Sequence, residues 1–137
     1  MNKIKTLLLI GFPIVSFLLL YLGYGFDGLY GQDGYEYLRY TNALGNYFIS
    51  GENPGDYFWP LYYPILGALG SYITQSASVS LLLISVLSLS LSGFYLKKSI
   101  DLLFSTANTN LSSFYVFVFF LLSPYIFKHG ILVMSIC

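Results

Sequence analysis

Three long apolar segments that contain no charged residue, 6–26, 76–96 and 111–127, constrain the fold of this 137-residue chain most strongly. Each run is close to the roughly 20 residues that an α-helix needs to cross the hydrocarbon core of a bilayer. A hydrophobic share of 56%, a charged share of 9% and a mean hydropathy of +0.70 are far from those of an ordinary soluble domain. The sequence therefore predicts a single all-α integral membrane domain over 1–137, with three transmembrane helices, an outer loop over 27–75 and interfacial helices in that loop.

The basic residues predict the orientation of these spans. Lys3 and Lys5 precede the first run, and Lys97 and Lys98 follow the second. Since cytoplasmic segments carry an excess of Lys and Arg, we expect both groups and the amino terminus on the cytoplasmic side. This requires that the shorter apolar segment 59–73, which contains two prolines, does not cross, so we predict an interfacial or re-entrant helix there. A basic start before an apolar run also fits a cleaved signal peptide, but the first run exceeds the about 7–15 residues typical of one, which favours an uncleaved anchor.

The outer loop contains a candidate amphipathic helix after the glycine-punctuated segment 25–34. Apolar and aromatic side chains recur there on one helical face. The members of this face are Tyr37, Tyr40, Leu44, Tyr47 and Phe48. Residues 51–56, GENPGD, form a turn by composition. Because tyrosine and tryptophan rings suit the membrane interface, we expect Trp59, Tyr62 and Tyr63 at headgroup depth.

Two further patterns concern the packing of the second run and the length of the whole protein. Ser85, Ser88 and Ser92 repeat along one stripe of the second run, and small hydroxyl residues at this spacing predict a helix-packing face. A fourth apolar run begins at Ile131 and stops after seven residues, at Cys137. Seven residues cannot span a bilayer, so the chain is expected to be the amino-terminal fragment of a larger protein.

The carboxylates are concentrated in the segment 31–70, which has a single arginine. Four of the six lie in this segment, and they are Asp33, Glu36, Glu52 and Asp56. Asp33 and Glu36, three residues apart at the start of the amphipathic helix, fit a capping box, in which the first acid caps the helix and the second reaches back to it. The same pair could serve as catalytic carboxylates, and the residue pattern leaves both interpretations open.

Composition excludes some other classes of function. The formal net charge is zero and the six basic residues are scattered, so the sequence offers no basic face for nucleic acid. One histidine and one cysteine do not support a metal site built on those residues.

The order of segments resembles the amino-terminal part of the GT-C class of polytopic membrane glycosyltransferases. The resemblance lies in the lysine-rich start and first span, the outer loop GQDGYEYLRYTNAL, the segment YFWPLYYPILGAL, a serine-rich span ending in KK, and a span ending in SPYIFKHG. It is nearest to the bacterial branch related to protein mannosyltransferases and aminoarabinose transferases. This resemblance implies a multi-pass protein of the bacterial inner membrane.

The resemblance also implies a reaction and a set of site residues. The expected reaction transfers a sugar from a polyprenyl-phosphate carrier to an acceptor hydroxyl at the outer face, with inversion. Asp33 matches the loop aspartate that acts as general base or positions the acceptor, while Glu36 and Tyr37 match as binding residues. A divalent cation held by acidic loop residues would be the cofactor in some members of the class. Three spans are too few to enclose donor and acceptor, so the fragment alone is expected to be inactive.

A departing phosphate needs positive charge or hydrogen-bond donors, and three outer-side residues could supply them. Arg39 could do so, or it could pair with Glu36 at i+3. Lys128 and His129 could do so, or they could anchor the end of the third span.

The rival interpretation is a small non-enzymatic membrane subunit. Its tyrosine-rich outer loop would bind membrane lipid or a partner membrane protein instead of a polyprenyl-phosphate-linked sugar.

Overall fold

Four helices make up most of the computed structural model, which describes residues 3–25, 28–29, 31–103, 114–116, 118–119 and 123. In chain order they are α1 (Lys3–Tyr24), α2 (Gly31–Ser50), α3 (Tyr62–Thr74) and α4 (Ala77–Leu103). No strand occurs within these described ranges. The predicted all-helical class is therefore confirmed for the described part of the chain.

One helix in the described residues, α4, is long and apolar enough to cross a membrane. Its 27 residues would extend about 40 Å, more than the roughly 30 Å of a hydrocarbon core. In α1 the apolar part, Ile10–Tyr24, is shorter than the roughly 20 residues that a full crossing needs. The predicted third span, 111–127, lies mostly outside the described residues. A three-span arrangement thus stays a prediction, with α4 as its one supported span.

The end of α4 differs from the sequence-based expectation. The sequence predicts a polar connection from Lys97 onward, but the helix continues to Leu103. The Lys97 ammonium donates to Asp101 Oδ2, one turn later, at 2.5 Å. Lys97 is only 4% exposed. Because the carboxylate balances the ammonium charge within the helix, the basic residue does not end it.

The chain divides into two compact units, and α4 contributes to both. The first consists of residues 1–25 and 86–131, and the second of residues 26–85 and 132–137. In the described part of the first unit, the buried apolar side chains include Phe17, Val86 and Val116. The candidate site lies wholly within the second unit.

In the second unit, α2 and α3 run in the same direction. Tyr37 contacts Tyr63 near the start of α3, and the Tyr72 hydroxyl points to the Gly45 carbonyl at 3.5 Å near its end. Midway, Gly67 packs so closely that an added methyl group would stand 3.0 Å from Thr41 Oγ1. Contacts that advance together along both helices require parallel axes.

The following helix turns back. Tyr63 at the start of α3 bonds to Leu81 and Ser85, whereas Gly70 near its end faces Ser80. The order of contacts is therefore reversed, and α3 and the first turns of α4 form an antiparallel pair. The left-handed conformation of Gln75, with φ of 58°, ends α3 and allows this tight reversal.

The serine stripe of α4 was predicted only in part. The Ser85 hydroxyl donates to Tyr63 of α3, but Ser88 and Ser92 are exposed, and the buried serines are Ser80 and Ser90. The expectation was wrong beyond Ser85 because α3 reaches only the first turns of α4.

Parallel α2 and α3 require a connection that returns along α2. Gly51, with φ of 73°, ends α2 and turns the chain, and its N–H donates to the Tyr47 carbonyl at 2.9 Å. Within the predicted turn, the Gly55 N–H donates to Asn53 Oδ1 at 2.9 Å. Residues 51–61, here named the return segment, contain no helix. They bring the side chains that follow the turn back onto the amino-terminal half of α2.

The predicted helix in 59–73 begins three residues later than expected, at Tyr62. Its 13 residues cover about 20 Å, too little for a full crossing, which agrees with an interfacial or re-entrant helix. Its placement at the membrane interface stays a prediction.

Candidate functional site

A cleft of about 440 Å³ opens between α2 and the return segment. Its lining residues are Glu36, Arg39, Asp56, Tyr57, Phe58 and Trp59. This volume lies within the roughly 300–1,000 Å³ typical of small-molecule sites. Two carboxylates, a guanidinium and aromatic rings therefore share one accessible cavity.

Glu36 and Arg39 form an ion pair on the surface of α2. Arg39 Nε and Nη2 both lie 2.9 Å from Glu36 Oε2, and the side chains are 34% and 51% exposed for Glu36 and Arg39. The pairing that the i, i+3 spacing predicted is thus present. At this exposure such a pair contributes less than about 1 kcal/mol to stability. The guanidinium keeps other N–H groups with which a ligand could hydrogen-bond.

A cluster of tyrosine rings forms the floor beside the cleft. The Tyr40 and Tyr57 rings stack with centroids 3.8 Å apart and an interplanar angle of 5°. Tyr37 meets Tyr57 and Tyr63 edge-to-face, with centroids 6.4 Å and 5.0 Å away. Buried Tyr40 and Leu44 also join Ala68 of α3 in the core. These rings pack the return segment against α2 and α3 along one side of the cleft.

The predicted apolar face of α2 is confirmed at its centre. Tyr37, Tyr40 and Leu44 are buried, whereas Tyr47 and Phe48 near the end of the helix are 46% and 44% exposed. Tyr37 is only 1% exposed and does not line the cleft. In this structure it supports the cleft from the core and has no surface for a ligand.

Tyr63 is fixed by hydrogen bonds to α4. Its hydroxyl donates to the Leu81 carbonyl at 2.8 Å, and because it has one proton, it accepts from the Ser85 hydroxyl at 2.5 Å. Burial raises the pKa of Tyr63 to about 12. The Tyr63 hydroxyl is thus satisfied by α4 inside the protein, and the expectation that Tyr63 lies at headgroup depth stays a prediction.

Tyr57 has a different environment. Its hydroxyl is buried and has no hydrogen-bond partner among the described residues. Burial raises its pKa well above the usual range, and the nearby Tyr37 and Glu36 groups raise it further. Tyr57 consequently remains a neutral wall of the cleft at physiological pH.

Asp33, the candidate base, lies outside this cleft. α2 begins at Gly31, whose φ is 68°, so Asp33 is in the first turn and is not the N-cap residue. The predicted capping box, with Asp33 as the N-cap residue, is therefore wrong. Asp33 is half-buried and still lies near the positive end of the helix dipole.

The remaining candidate residues, Lys128 and His129, lie outside the described residues. Across the described ranges, no group of three or more His, Cys, Asp or Glu side chains could hold a metal ion.

Sequence reasoning did not identify Asp56, Tyr57, Phe58 and Trp59 as one wall of a site. The available signal was an aromatic run directly after an acidic turn, together with an amphipathic helix that has Glu36 and Arg39 on its polar side. What the pattern lacked was the return path that brings the two segments together.

Comparisons with protein-family models, curated proteins and solved structures gave no match to this chain. The resemblance to GT-C glycosyltransferases thus stays a prediction.

Proposed function

We propose that this chain is the sugar-binding amino-terminal part of a membrane glycosyltransferase. The enzyme would transfer a sugar from a polyprenyl-phosphate donor to an acceptor hydroxyl at the outer face of a bacterial inner membrane. The observation that carries the proposal is the cleft that combines Glu36 and Asp56 with Phe58 and Trp59.

This combination matches the chemistry of a sugar ring. The C–H groups on one face of a pyranose pack against an aromatic ring, and its hydroxyl groups donate to carboxylates. Trp59 supplies a partly buried ring beside Phe58, with centroids 6.0 Å apart and planes at 79°. Asp56 and Glu36 supply the acceptors in the same cavity.

The reaction needs a base, and two carboxylates are candidates. As the acceptor oxygen attacks the anomeric carbon, its proton passes to a carboxylate and the lipid phosphate departs. The resemblance favours Asp33, whereas the geometry favours Asp56, which lines the cleft and has no hydrogen-bond or ion-pair partner among the described residues. Lys128 and His129 remain candidates to stabilise the phosphate, whereas Arg39 is paired with Glu36 in the cleft.

A transfer assay on membranes that contain the protein tests both assignments. Mannosyl-phosphoryl-polyprenol with a labelled sugar would be the donor, and incorporation into acceptor would be measured for the wild type, Asp33→Asn and Asp56→Asn. Loss of the base should lower the rate by about 10²–10⁴-fold. Glu52→Gln is the control, because Glu52 is an exposed carboxylate outside the cleft. Transfer that both variants retain in full would refute the enzymatic roles.

A second candidate function is the non-enzymatic subunit. It is favoured by the exposure of Phe58 and Tyr62, at 93% and 85%, since protruding aromatic rings suit a lipid interface or a partner protein. Binding of a neutral methyl glycoside separates the two candidates. Trp59 is the one tryptophan of the chain and lies in the cleft, so its fluorescence reports occupancy directly. Saturable change with methyl mannoside supports the transferase, and change with lipid vesicles alone supports the subunit.

A further inference from the structure

The charges that line the cleft do not cancel. Glu36 and Arg39 neutralise one another through their ion pair. Asp56 is exposed and has neither a hydrogen bond nor an ion pair with any described residue. Tyr57 is a phenol and is uncharged at neutral pH. The cleft therefore carries one uncompensated negative charge.

The aromatic rings of the cleft also favour a positively charged ligand. The face of an indole or phenyl ring is electron-rich and attracts a cation within about 6 Å, and tryptophan does so best. Trp59 is partly buried, and it lines the cleft together with the Asp56 carboxylate. A carboxylate and an indole in one cavity favour an organic cation over an anion.

From this arrangement we infer that the cleft binds a ligand with an ammonium group and rejects phosphate. The inference concerns the charge of the cleft and does not depend on the transferase proposal. If that proposal also holds, the phosphate of the donor binds elsewhere in the protein.

Choline and its neutral isostere 3,3-dimethylbutan-1-ol provide the test, because they have the same shape and differ in charge. Binding to the full chain is followed by the fluorescence of Trp59, in a polyoxyethylene detergent that contains neither a sugar nor an ammonium group. We expect choline to bind roughly tenfold more tightly than the isostere, and inorganic phosphate to cause no saturable change. Equal affinity for the two isosteres, or tighter binding of phosphate, would overturn the inference.

Two substitutions have opposite expected effects. Asp56→Asn removes the uncompensated charge and should weaken choline binding roughly fivefold. Arg39→Gln releases the Glu36 carboxylate and should strengthen choline binding, whereas the same substitution would weaken phosphate binding at a phosphate site. Matched controls are Glu52→Gln and Lys98→Gln, which alter exposed charges that do not line the cleft. Weaker choline binding in a folded Arg39→Gln protein contradicts the inference.

The outcomes also separate this inference from the proposed function. Methyl mannoside binding without a preference for choline over its isostere leaves the transferase proposal and refutes the ammonium site. Choline binding without any response to methyl mannoside supports the ammonium site and counts against the transferase proposal.

Discussion

The substitution Gly67→Ala tests the helix packing that holds the cleft in place. Gly67 is buried in α3 between α2 and α4. A Cβ atom there would lie 2.6 Å from Leu81 Cδ2 and 3.0 Å from both Thr41 Cγ2 and Thr41 Oγ1. Leu81 is 0% exposed and Thr41 is 1% exposed, so neither side chain has open space into which to move.

Two opposing contributions determine how much Gly67→Ala changes the free energy of unfolding. Replacing a helical glycine by alanine stabilises the helix by about 1 kcal/mol. Inserting a methyl group into a closely packed core costs about 1–3 kcal/mol, and the burial of both neighbours favours the upper half of that range. We therefore expect Gly67→Ala to lower the free energy of unfolding by about 1–2 kcal/mol.

Gly45→Ala in α2 is the matched control. Apart from its chain neighbours and the backbone of its own helix, no heavy atom lies within 4 Å of the position that its Cβ would take. Only the helix propensity therefore changes, and stability should rise by about 1 kcal/mol. The assay is the thermal unfolding midpoint of the full chain in detergent, followed by the emission of Trp59. A Gly67→Ala midpoint equal to or above that of Gly45→Ala would refute the described packing of α3.

Three other predictions concern hydroxyl groups and charges, each read from the same thermal midpoint. Tyr63→Phe should lower stability by about 1–2 kcal/mol, because it removes a hydroxyl that is hydrogen-bonded to Leu81 and Ser85. Tyr57→Phe should lower it by less than about 0.5 kcal/mol, because the Tyr57 hydroxyl has no partner among the described residues. Equal losses of stability would contradict this difference. The folded pKa of Tyr63 is raised from 10.0 to about 12, so its contribution is fully present below pH 10 and is lost as the pH rises through about 12. Stability should therefore fall less steeply above pH 10 in Tyr63→Phe than in the wild type, and identical slopes would argue against a buried Tyr63. Asp101→Asn should lower stability by about 2–3 kcal/mol, because it leaves the buried Lys97 ammonium without its countercharge. Lys97→Met should lower stability less, and the reverse order would contradict the burial of Lys97.

The helices follow from local sequence patterns. The uncharged run in 76–96 predicts α4, and the spacing of Tyr37, Tyr40 and Leu44 predicts the buried face of α2. Both patterns are local, because burial of one helical face or of a whole helix leaves its mark every three to four residues. The start of α2 was not predicted, because several glycines in 25–34 could begin a helix, and the structure places the start at Gly31, with φ of 68°.

The candidate site was predicted in part. Glu36 and Arg39 were identified, and their i, i+3 pairing is a property of any helix. Asp33 was chosen by resemblance, yet the helix places it before the cleft. Asp56 and Trp59 were not assigned to a site because they are separated from Glu36 by a turn whose direction the local pattern does not determine.

The sequence by itself determined a helical, strongly apolar chain with its acids gathered in one segment, because composition and helical periodicity are local properties. Only the tertiary structure decided that α2 and α3 run in parallel and that the return segment lies along α2, with Tyr57 stacked on Tyr40. That decision depends on contacts between residues far apart in the chain, such as Gly67 against Thr41 and Leu81, whose fit can be judged only when all three helices are in place.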